Sequence, residues 1–216
     1  MSVMNDFNSY IDKTSGLNKY VSWFSISRIA RKLSYAFSLH KPEKTETAKK
    51  LDKLCSKEDR WPERPRHAKE RDLKLLRAVP EKDYVKTYRK TMVNTIEDML
   101  ADICVSLFSL MNKYKKRFES EPDTGDESRN KAYTETFEGK DNFSVCEFLV
   151  RTLHNIVHRE KDSEERNRLI DFESVLSFVF WLAVRLGVNS LETYISNRLT
   201  YEILRAAESL KKKKTL

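Results

Sequence analysis

The sequence predicts an all-α protein, and three observations lead to that prediction. The clearest helical pattern runs through NTIEDMLADICVSLFSLMNKY, residues 94–114, where apolar side chains recur at intervals of four and three. The 216 residues include only four glycines, fewer than the turns of a β-rich or Rossmann-type fold require. No segment shows a convincing period-two alternation of apolar and polar residues, so no strand is expected.

Two further helices and an insertion are expected before residue 94. Apolar spacing predicts a helix over residues 21–39, which Pro42 ends. Residues 41–80 are highly charged and weakly periodic, and we interpret them as a basic surface insertion containing short helical pieces. Pro80 is suited to start the next helix, which runs toward the central one.

A long polar loop and three more helices are expected after residue 114. Residues 115–142 carry few apolar side chains and predict a mobile loop. Helices are expected over residues 144–159, from about residue 171 to Gly187 as C-cap, and after Asn189 or Ser190 to the basic tail. Residues 175–186 are apolar on most faces, which predicts burial in the core or across a homodimer.

Charge and cysteine usage restrict the partners and the compartment. Residues 1–94 hold 22 basic and 12 acidic residues, so this half favours an anionic partner, either nucleic acid or a phosphorylated small molecule. A solvated, mixed-charge surface is the alternative. Cys55, Cys104 and Cys146 are far apart and predict free thiols rather than a disulfide or zinc framework. Without an apolar run of about 20 residues or a secretory pattern, we expect a cytoplasmic protein that does not enter membranes.

The start of the central helix carries three acidic residues. Asn94 is suited to cap this helix, with Glu97 three residues later as the capping-box partner and Asp98 favoured by the helix dipole. Asp102 has no such explanation, because it lies one turn further on at the edge of the apolar stripe. A carboxylate there is costly to bury unless a cation pairs with it.

Three segments in this order resemble the MazG-like, all-α nucleoside triphosphate pyrophosphohydrolases. They are SISRIARKLSYAFSLHKPEK, NTIEDMLADICVSLFSLM and FVFWLAVRLGVNSLETYISNRLTYE, of which the second is similar to the EDELADI-like block of that family. The resemblance implies one domain over residues 1–216 with a four-helix core, commonly doubled across a homodimer interface. It also implies four carboxylates, from ExxE on one helix and ExxD on the next, that hold Mg²⁺ and the triphosphate.

The chain departs from this family at the metal-binding positions. The ExxE positions fall on Lys32 and Tyr35, and the ExxD positions fall on Met99 and Asp102, so one of four carboxylates remains. A thioether does not replace a carboxylate toward Mg²⁺, and a lysine repels the metal. We therefore expect a pyrophosphohydrolase scaffold with little or no activity, and Mg²⁺ as cofactor only for residual activity.

Nucleotide binding is the function that such a scaffold would retain. The candidate residues are Lys32, Tyr35, Asp98, Asp102 and Arg198, where Arg198 matches a phosphate-contacting position of the family and Glu202 does not match its neighbour. Lys32 would contact phosphate directly in place of a metal and would pair with Asp102. The alternative is a solvent-facing lysine with no such role.

A second constellation favours a different activity. RTLHNIVH places Arg151 seven residues before His158, and this spacing resembles the HEPN ribonucleases, which cleave RNA. His154 and His158 lie one turn apart and could hold zinc, but no third ligand is evident. The alternatives to a degenerate pyrophosphohydrolase are therefore a HEPN-like ribonuclease and a helical nucleic-acid-binding or assembly protein.

Overall fold

The computed structural model describes residues 23–38, 63–114, 127–158 and 165–214, and this part of the chain is all-helical. Within these ranges no strand is present, and the one β-bridge joins Arg66 to Thr95. The all-α prediction is confirmed. The helices are α1 (Trp23–Phe37), α2 (Glu70–Ala78), α3 (Glu81–Thr91), α4 (Ile96–Tyr114), α5 (Glu127–Thr136), α6 (Asn142–His158), α7 (Glu165–Arg185) and α8 (Leu191–Lys214).

Helix α4 lies at the centre of the main hydrophobic core. It packs against α1, α7 and α8, and α1 also packs along α6. The predicted stripe of α4 is buried, since Leu100, Ile103 and Leu107 are inaccessible to solvent. Apolar side chains from α1, α4, α6, α7 and α8 form one continuous cluster around it. Burial of that cluster supplies the main drive for folding, because apolar area removed from water contributes about 25 cal/mol per Å².

A smaller core joins α2 and α3 to α8. Leu76 of α2 and Tyr84, Val85 and Tyr88 of α3 are buried with Tyr201 of α8. The α3 side chains recur at the helical period, which orients one face of α3 toward α8 and the opposite face toward solvent. This second core holds α3 beside the start of α4.

Two predicted boundaries are wrong in the described part of the chain. The loop expected over residues 115–142 contains α5, and α7 begins at Glu165, six residues before the expected start. Tyr133 explains the position of α5, because its ring lies against Phe178 and Trp181 of α7. Residues 41–62, the larger part of the expected insertion, and residues 115–126 lie outside the described residues.

Gly187 ends α7 as the sequence predicts. Its φ is 80°, a left-handed conformation that glycine adopts without steric cost. The amides of Gly187 and Val188 donate to the carbonyls of Val184 and Ala183, respectively, which is the Schellman pattern. The turn then places Ser190 directly before α8, and so fixes the direction in which α8 returns along α4.

Most of the apolar segment of α7 is buried within a single chain, as one of its two predicted placements requires, but Val184 is 72% exposed. Val179 and Leu182 are inaccessible, whereas Phe148 of α6 is 44% exposed. Cys104 and Cys146 are free and buried, and burial raises the pKa of both thiols. None of the described helices combines the length and apolar character needed to cross a membrane.

Candidate functional site

The first turn of α4 is capped by Thr95, so the predicted capping role of Asn94 is wrong. The amide of Asp98 donates to the Thr95 hydroxyl at 3.1 Å, the contact that an N-cap residue makes with the third residue of its helix. Asn94 lies one residue earlier with φ of 77°, in the turn that precedes the helix. Asparagine tolerates this left-handed conformation better than most residues, which explains its presence there.

The predicted capping-box role of Glu97 is also wrong. Its carboxylate is buried, with Oε1 2.8 Å from His67 Nδ1 and Oε2 accepting the amide hydrogen of Ala68 at 2.7 Å. These two bonds attach the segment before α2 to the first turn of α4. Glu97 is therefore a structural anchor between two parts of the chain.

Asp98 and Asp102 converge on Arg198 of α8. Arg198 Nη1 donates to both oxygens of Asp98 at 3.0 and 3.2 Å, and Nη2 lies 3.0 Å from Asp102 Oδ2. Nη2 also lies 3.0 Å from Glu202 Oε1, one turn along α8. Three carboxylates from two helices thus surround one guanidinium, and we call Asp98, Asp102, Arg198 and Glu202 the Arg198 cluster.

The cluster is closed to solvent on most sides. The Arg198 side chain is 12% exposed, and burial alone would lower its pKa, but Asp102, Asp98 and Glu202 hold that pKa well above its usual value. The side chain of Asp102 is 25% exposed, and its pKa is raised to about 6. Burial is the largest cause, and the charges of Asp98 and Glu202 add to it against the opposing effect of Arg198.

Aromatic residues from α3 and α8 cover one side of the cluster. The Tyr88 hydroxyl donates to Asp98 Oδ1 at 2.6 Å, and the Tyr88 ring stacks on Tyr201 with centroids 4.5 Å apart. Burial, with the charge of Asp98 as the next cause, raises the pKa of Tyr88 well above its usual value. Tyr88 therefore stays a neutral hydrogen-bond donor near neutral pH, and with Tyr201 it connects the second core to the Arg198 cluster.

Two more arginines lie at the outer edge. Arg205 Nη2 contacts Glu202 Oε2 at 3.1 Å, and the Arg205 guanidinium lies 5.7 Å from the centroid of the Tyr201 ring. Arg89 of α3 donates from Nε to the Tyr201 hydroxyl at 3.2 Å. The buried Tyr201 is thus contacted by cations from two helices.

The structure brings together only part of the residues that the sequence selected. Asp98, Asp102 and Arg198 meet. The sequence assigned Lys32 as the ion-pair partner of Asp102, whereas the structure gives Asp102 an ion pair with Arg198. Tyr35 belongs to another set of contacts, since its ring lies under the Arg64 guanidinium at 4.6 Å from the centroid. Lys32 lies half-buried on α1, and Met99 is buried in the main core.

The residues of the Arg198 cluster do not fit a bound Mg²⁺. Mg²⁺ requires near-octahedral oxygen ligands, and the carboxylates here are directed to a guanidinium that lies between them. Within the described ranges, no group of three or more His, Cys, Asp and Glu residues is arranged to hold a metal ion. The carboxylate positions that the sequence predicts to be lost, Lys32, Tyr35 and Met99, supply no oxygen donor of that kind.

Of the residues selected for a ribonuclease, the structure describes the side chains of Arg151 and His154 but not that of His158. Arg151 is exposed on α6 and forms an ion pair with Glu147 one turn earlier, at 3.6 Å. His154 is exposed on the same helix, and the side chain of His158 lies outside the described residues.

A cleft lies beside the first turn of α4, on the side reached by Glu97. It has a volume of about 520 Å³ and is bordered by the end of α1, the segment before α2, and the starts of α4 and α6. Phe37 and Phe143 supply aromatic walls, while Arg66 and His67 supply polar groups at its edge. Asp141 adds one carboxylate, which also accepts the amide hydrogen of Ser144 at 2.7 Å.

Sequence reasoning missed Tyr88, Tyr201 and Arg205, and it treated Glu202 as a mismatch. A local signal existed for part of this set. Asp98 and Asp102 are four residues apart on one face of α4, and Arg198 and Glu202 are four apart on one face of α8. The acidic face of α4 could have been paired with Arg198 on α8, although nothing local indicated that α3 would join them.

No protein-family model matches this sequence, and neither a curated protein nor a solved structure shows significant similarity to it.

Proposed function

We propose that this chain is a non-catalytic, nucleotide-binding helical module that resembles the MazG-like pyrophosphohydrolases. The convergence of Asp98, Asp102 and Glu202 on Arg198 carries the proposal. In a metal-dependent site of this kind, such carboxylates would be open to Mg²⁺ and to the triphosphate. Here their charge is used inside the protein, so the acids serve to join α4 to α8.

Arg198 supplies the positive charge that a metal ion would supply between these carboxylates. Its guanidinium stays protonated at all accessible pH values, and its fork of donors matches carboxylate oxygens. Because it belongs to the same chain, it does not dissociate when the metal concentration falls. Mg²⁺ would have to displace it and lose its own water shell, which Mg²⁺ does reluctantly.

The first test measures pyrophosphate release. With Mg²⁺ or Mn²⁺ and each common NTP and dNTP, we expect no turnover, because the carboxylates are bound to the Arg198 guanidinium, which lies between them. Turnover above about 1 s⁻¹, near the low end for enzymes, would overturn the non-catalytic assignment. The Asp98→Asn, Asp102→Asn double variant is the control, since activity that survives in it would come from a contaminant.

Retained nucleotide binding is supported by the cleft beside α4. A phosphate needs a cation and a base needs an apolar wall, and the cleft offers Arg66 next to Phe37 and Phe143, with His67 as a further polar group. Such binding would need no Mg²⁺ and would weaken with salt, because exposed cations are screened over about 8 Å at physiological ionic strength.

The second test is calorimetric titration of ATP and dATP with and without Mg²⁺. We expect binding that does not need Mg²⁺ and a loss of binding in Arg66→Gln. Lys32→Glu examines the residue that the sequence selected, and Arg31→Glu, an exposed neighbour on α1, is its control. The absence of any binding at low salt, or binding that requires Mg²⁺, would contradict the nucleotide-binding part of the proposal.

A homodimer also belongs to the proposal, since the family that the chain resembles commonly doubles its core. Two exposed apolar side chains support it, Phe148 on α6 and Val184 on α7. Monomeric proteins do expose single apolar residues, so the test must compare these positions with another exposed apolar residue of the same chain.

A further inference from the structure

One face of α3 is a row of positive charges. Lys82, Lys86, Arg89 and Lys90 are all exposed, and their spacing of four, three and one places them within about 100° of arc around the helix axis. We call these four residues the basic stripe. With a rise of about 1.5 Å per residue, the stripe spans about 12 Å. The opposite face of α3 is buried through Tyr84, Val85, Tyr88 and Thr91, so the helix cannot turn this row inward.

The basic stripe is not neutralised within the described part of the protein. No ion pair of Lys82, Lys86 or Lys90 is present among the described residues. Lys82 and Lys86, and again Lys86 and Lys90, are like charges four residues apart, an arrangement that destabilises a helix by about 0.2–0.5 kcal/mol per pair. The second core holds α3 in place despite that cost, and a polyanion would relieve it.

A fifth cation joins the stripe from α8. Arg89 and Arg205 both contact Tyr201, one through its hydroxyl and the other over its ring. Arg205 is 42% exposed, so its guanidinium is accessible next to Arg89 although it also binds Glu202. Glu208 of α8 is the other acidic group close enough to act on Arg89. The acids near these five cations are Glu202, which is already paired with Arg198, Glu208, and Asp83, which is exposed on α3 at the edge of the stripe.

We propose that the basic stripe and Arg205 bind the phosphate backbone of a nucleic acid. A line of exposed lysines fits a linear polyanion better than a small ligand, which needs a concave site. An anionic membrane is a weaker fit, because membrane-surface helices place large apolar side chains beside their cations and the stripe carries none. The lysines offer no geometry for reading base edges, so binding is independent of sequence.

The test measures binding of fluorescently labelled 20-nucleotide RNA and 20-base-pair DNA of mixed sequence to the full chain. We expect both to bind, with an affinity that falls steeply as salt rises. Five phosphate contacts correspond to a slope of log K against log salt of about −4.5 for the duplex and about −3.5 for the single strand.

Charge reversal locates the surface. Lys86→Glu with Lys90→Glu should weaken binding at least tenfold and reduce the magnitude of the salt slope by about 2, because two phosphate contacts are lost. Lys131→Glu with Lys140→Glu changes the net charge equally at exposed positions elsewhere and should change affinity less than threefold. Circular dichroism and thermal melting establish that both variants are folded.

Three outcomes would overturn the proposal. The first is a wild-type protein that binds neither nucleic acid at low salt. The second is an equal loss in the two double variants, which would assign the attraction to net charge rather than to the stripe. The third is a wild-type protein that sediments with phosphatidylserine vesicles but does not bind the oligonucleotides, together with a stripe variant that no longer sediments with the vesicles. Free nucleotides are titrated separately, so failure here leaves the nucleotide test of the cleft unaffected.

Discussion

At the scale of single residues, Arg198 decides what the acids of α4 can do. A carboxylate buried without a partner is costly, and Asp98 is almost fully buried. Arg198 compensates Asp98, Asp102 and Glu202 together because its two terminal nitrogens each reach more than one oxygen. A lysine has one ammonium and no fork, so it could not make the same set of bonds. The chemistry of the site follows from this one side chain.

Arg198→Met should destabilise the protein by about 3–5 kcal/mol, because it leaves buried acids without a cation. The variant should also acquire affinity for Mg²⁺ or Mn²⁺, since three carboxylates would then face an open centre. Melting temperature with and without the metal measures both effects, because a ligand that binds only the folded state raises stability.

Arg205→Met is the matched control for that experiment. It removes an arginine that contacts Glu202 but neither Asp98 nor Asp102, at a more exposed position. We expect a loss of about 1 kcal/mol or less and no response to metal. If Arg198→Met is folded and its melting temperature is unchanged by Mg²⁺ and Mn²⁺, the cluster does not contain a latent cation site.

Asp102 should make a contribution to stability that becomes more favourable as pH falls, the opposite of the usual carboxylate in an ion pair. Its pKa in the folded state is about 6, above the usual 3.8, so the folded chain takes up the proton first as pH falls. The group therefore opposes folding above pH 6, and that penalty is relieved between pH 6 and pH 4. Arg198, Asp98, Glu202 and Ser106 face the carboxylate and set this balance.

The measurement compares wild type with Asp102→Asn in urea at pH 7 and pH 5. Relative to Asp102→Asn, the wild type should gain about 1 kcal/mol of unfolding free energy when the pH is lowered from 7 to 5. An identical difference at both pH values would show that Asp102 has an ordinary pKa. Ser106→Ala, which removes the weak 3.5 Å hydrogen bond to Asp102, should leave the pH dependence largely in place.

At the scale of the helices, end signals were predicted less well than apolar faces. The face of α4 is buried as predicted, yet its cap lies one residue later than expected, at Thr95. Both Asn94 and Thr95 are good cap residues, so local preference could not separate them. The contact between Arg66 and Thr95 fixes the start of the helix after Thr95, because the Ile96 amide donates to the Arg66 carbonyl across the turn.

Thr95→Ala should therefore destabilise the protein by about 1 kcal/mol, the usual effect of losing an N-cap side chain. Asn94→Gly should be nearly neutral, because glycine adopts the left-handed φ of 77° readily. Chemical denaturation of both variants measures the two effects, and Thr95→Ser should restore most of the loss. The opposite order of the two effects would return the cap to Asn94.

Elements without a periodic apolar pattern were not predicted. Helix α5 buries none of its residues fully and shows little amphipathicity, so no periodic signal marked it. Its contacts come from Tyr133 and from Thr134, which accepts a hydrogen bond from Trp181 Nε1 at 3.1 Å. The Arg198 cluster joins residues 100 positions apart, and periodicity within one helix carries no information on such a pairing. The residues of the site were partly identified, but their arrangement was not.

At the scale of the whole molecule, α8 connects the two cores. Leu191, Ile195 and Leu199 enter the main core, Tyr201 enters the smaller one, and Tyr194 packs against both. The Arg198 cluster lies on the same helix between these contacts. Helices α2 and α3 are thereby attached to the main core largely through α8, and we expect their hydrogen-exchange protection to fall when Arg198 is replaced.

The last prediction concerns assembly and rests on one exposed apolar side chain of α6 and one of α7. Val184 of α7 is 72% exposed and Phe148 of α6 is 44% exposed, although most of residues 172–183 of α7 are buried. We expect light scattering to give twice the chain mass of 25.5 kDa at micromolar concentration. Val184→Glu should convert the dimer to monomer without unfolding it, because the side chain contributes little to the core of one chain. Leu75→Glu, at a position on α2 that is 50% exposed, is the control and should leave the mass unchanged. A wild-type monomer at every concentration would contradict the dimer, and equal effects of the two substitutions would place the interface elsewhere.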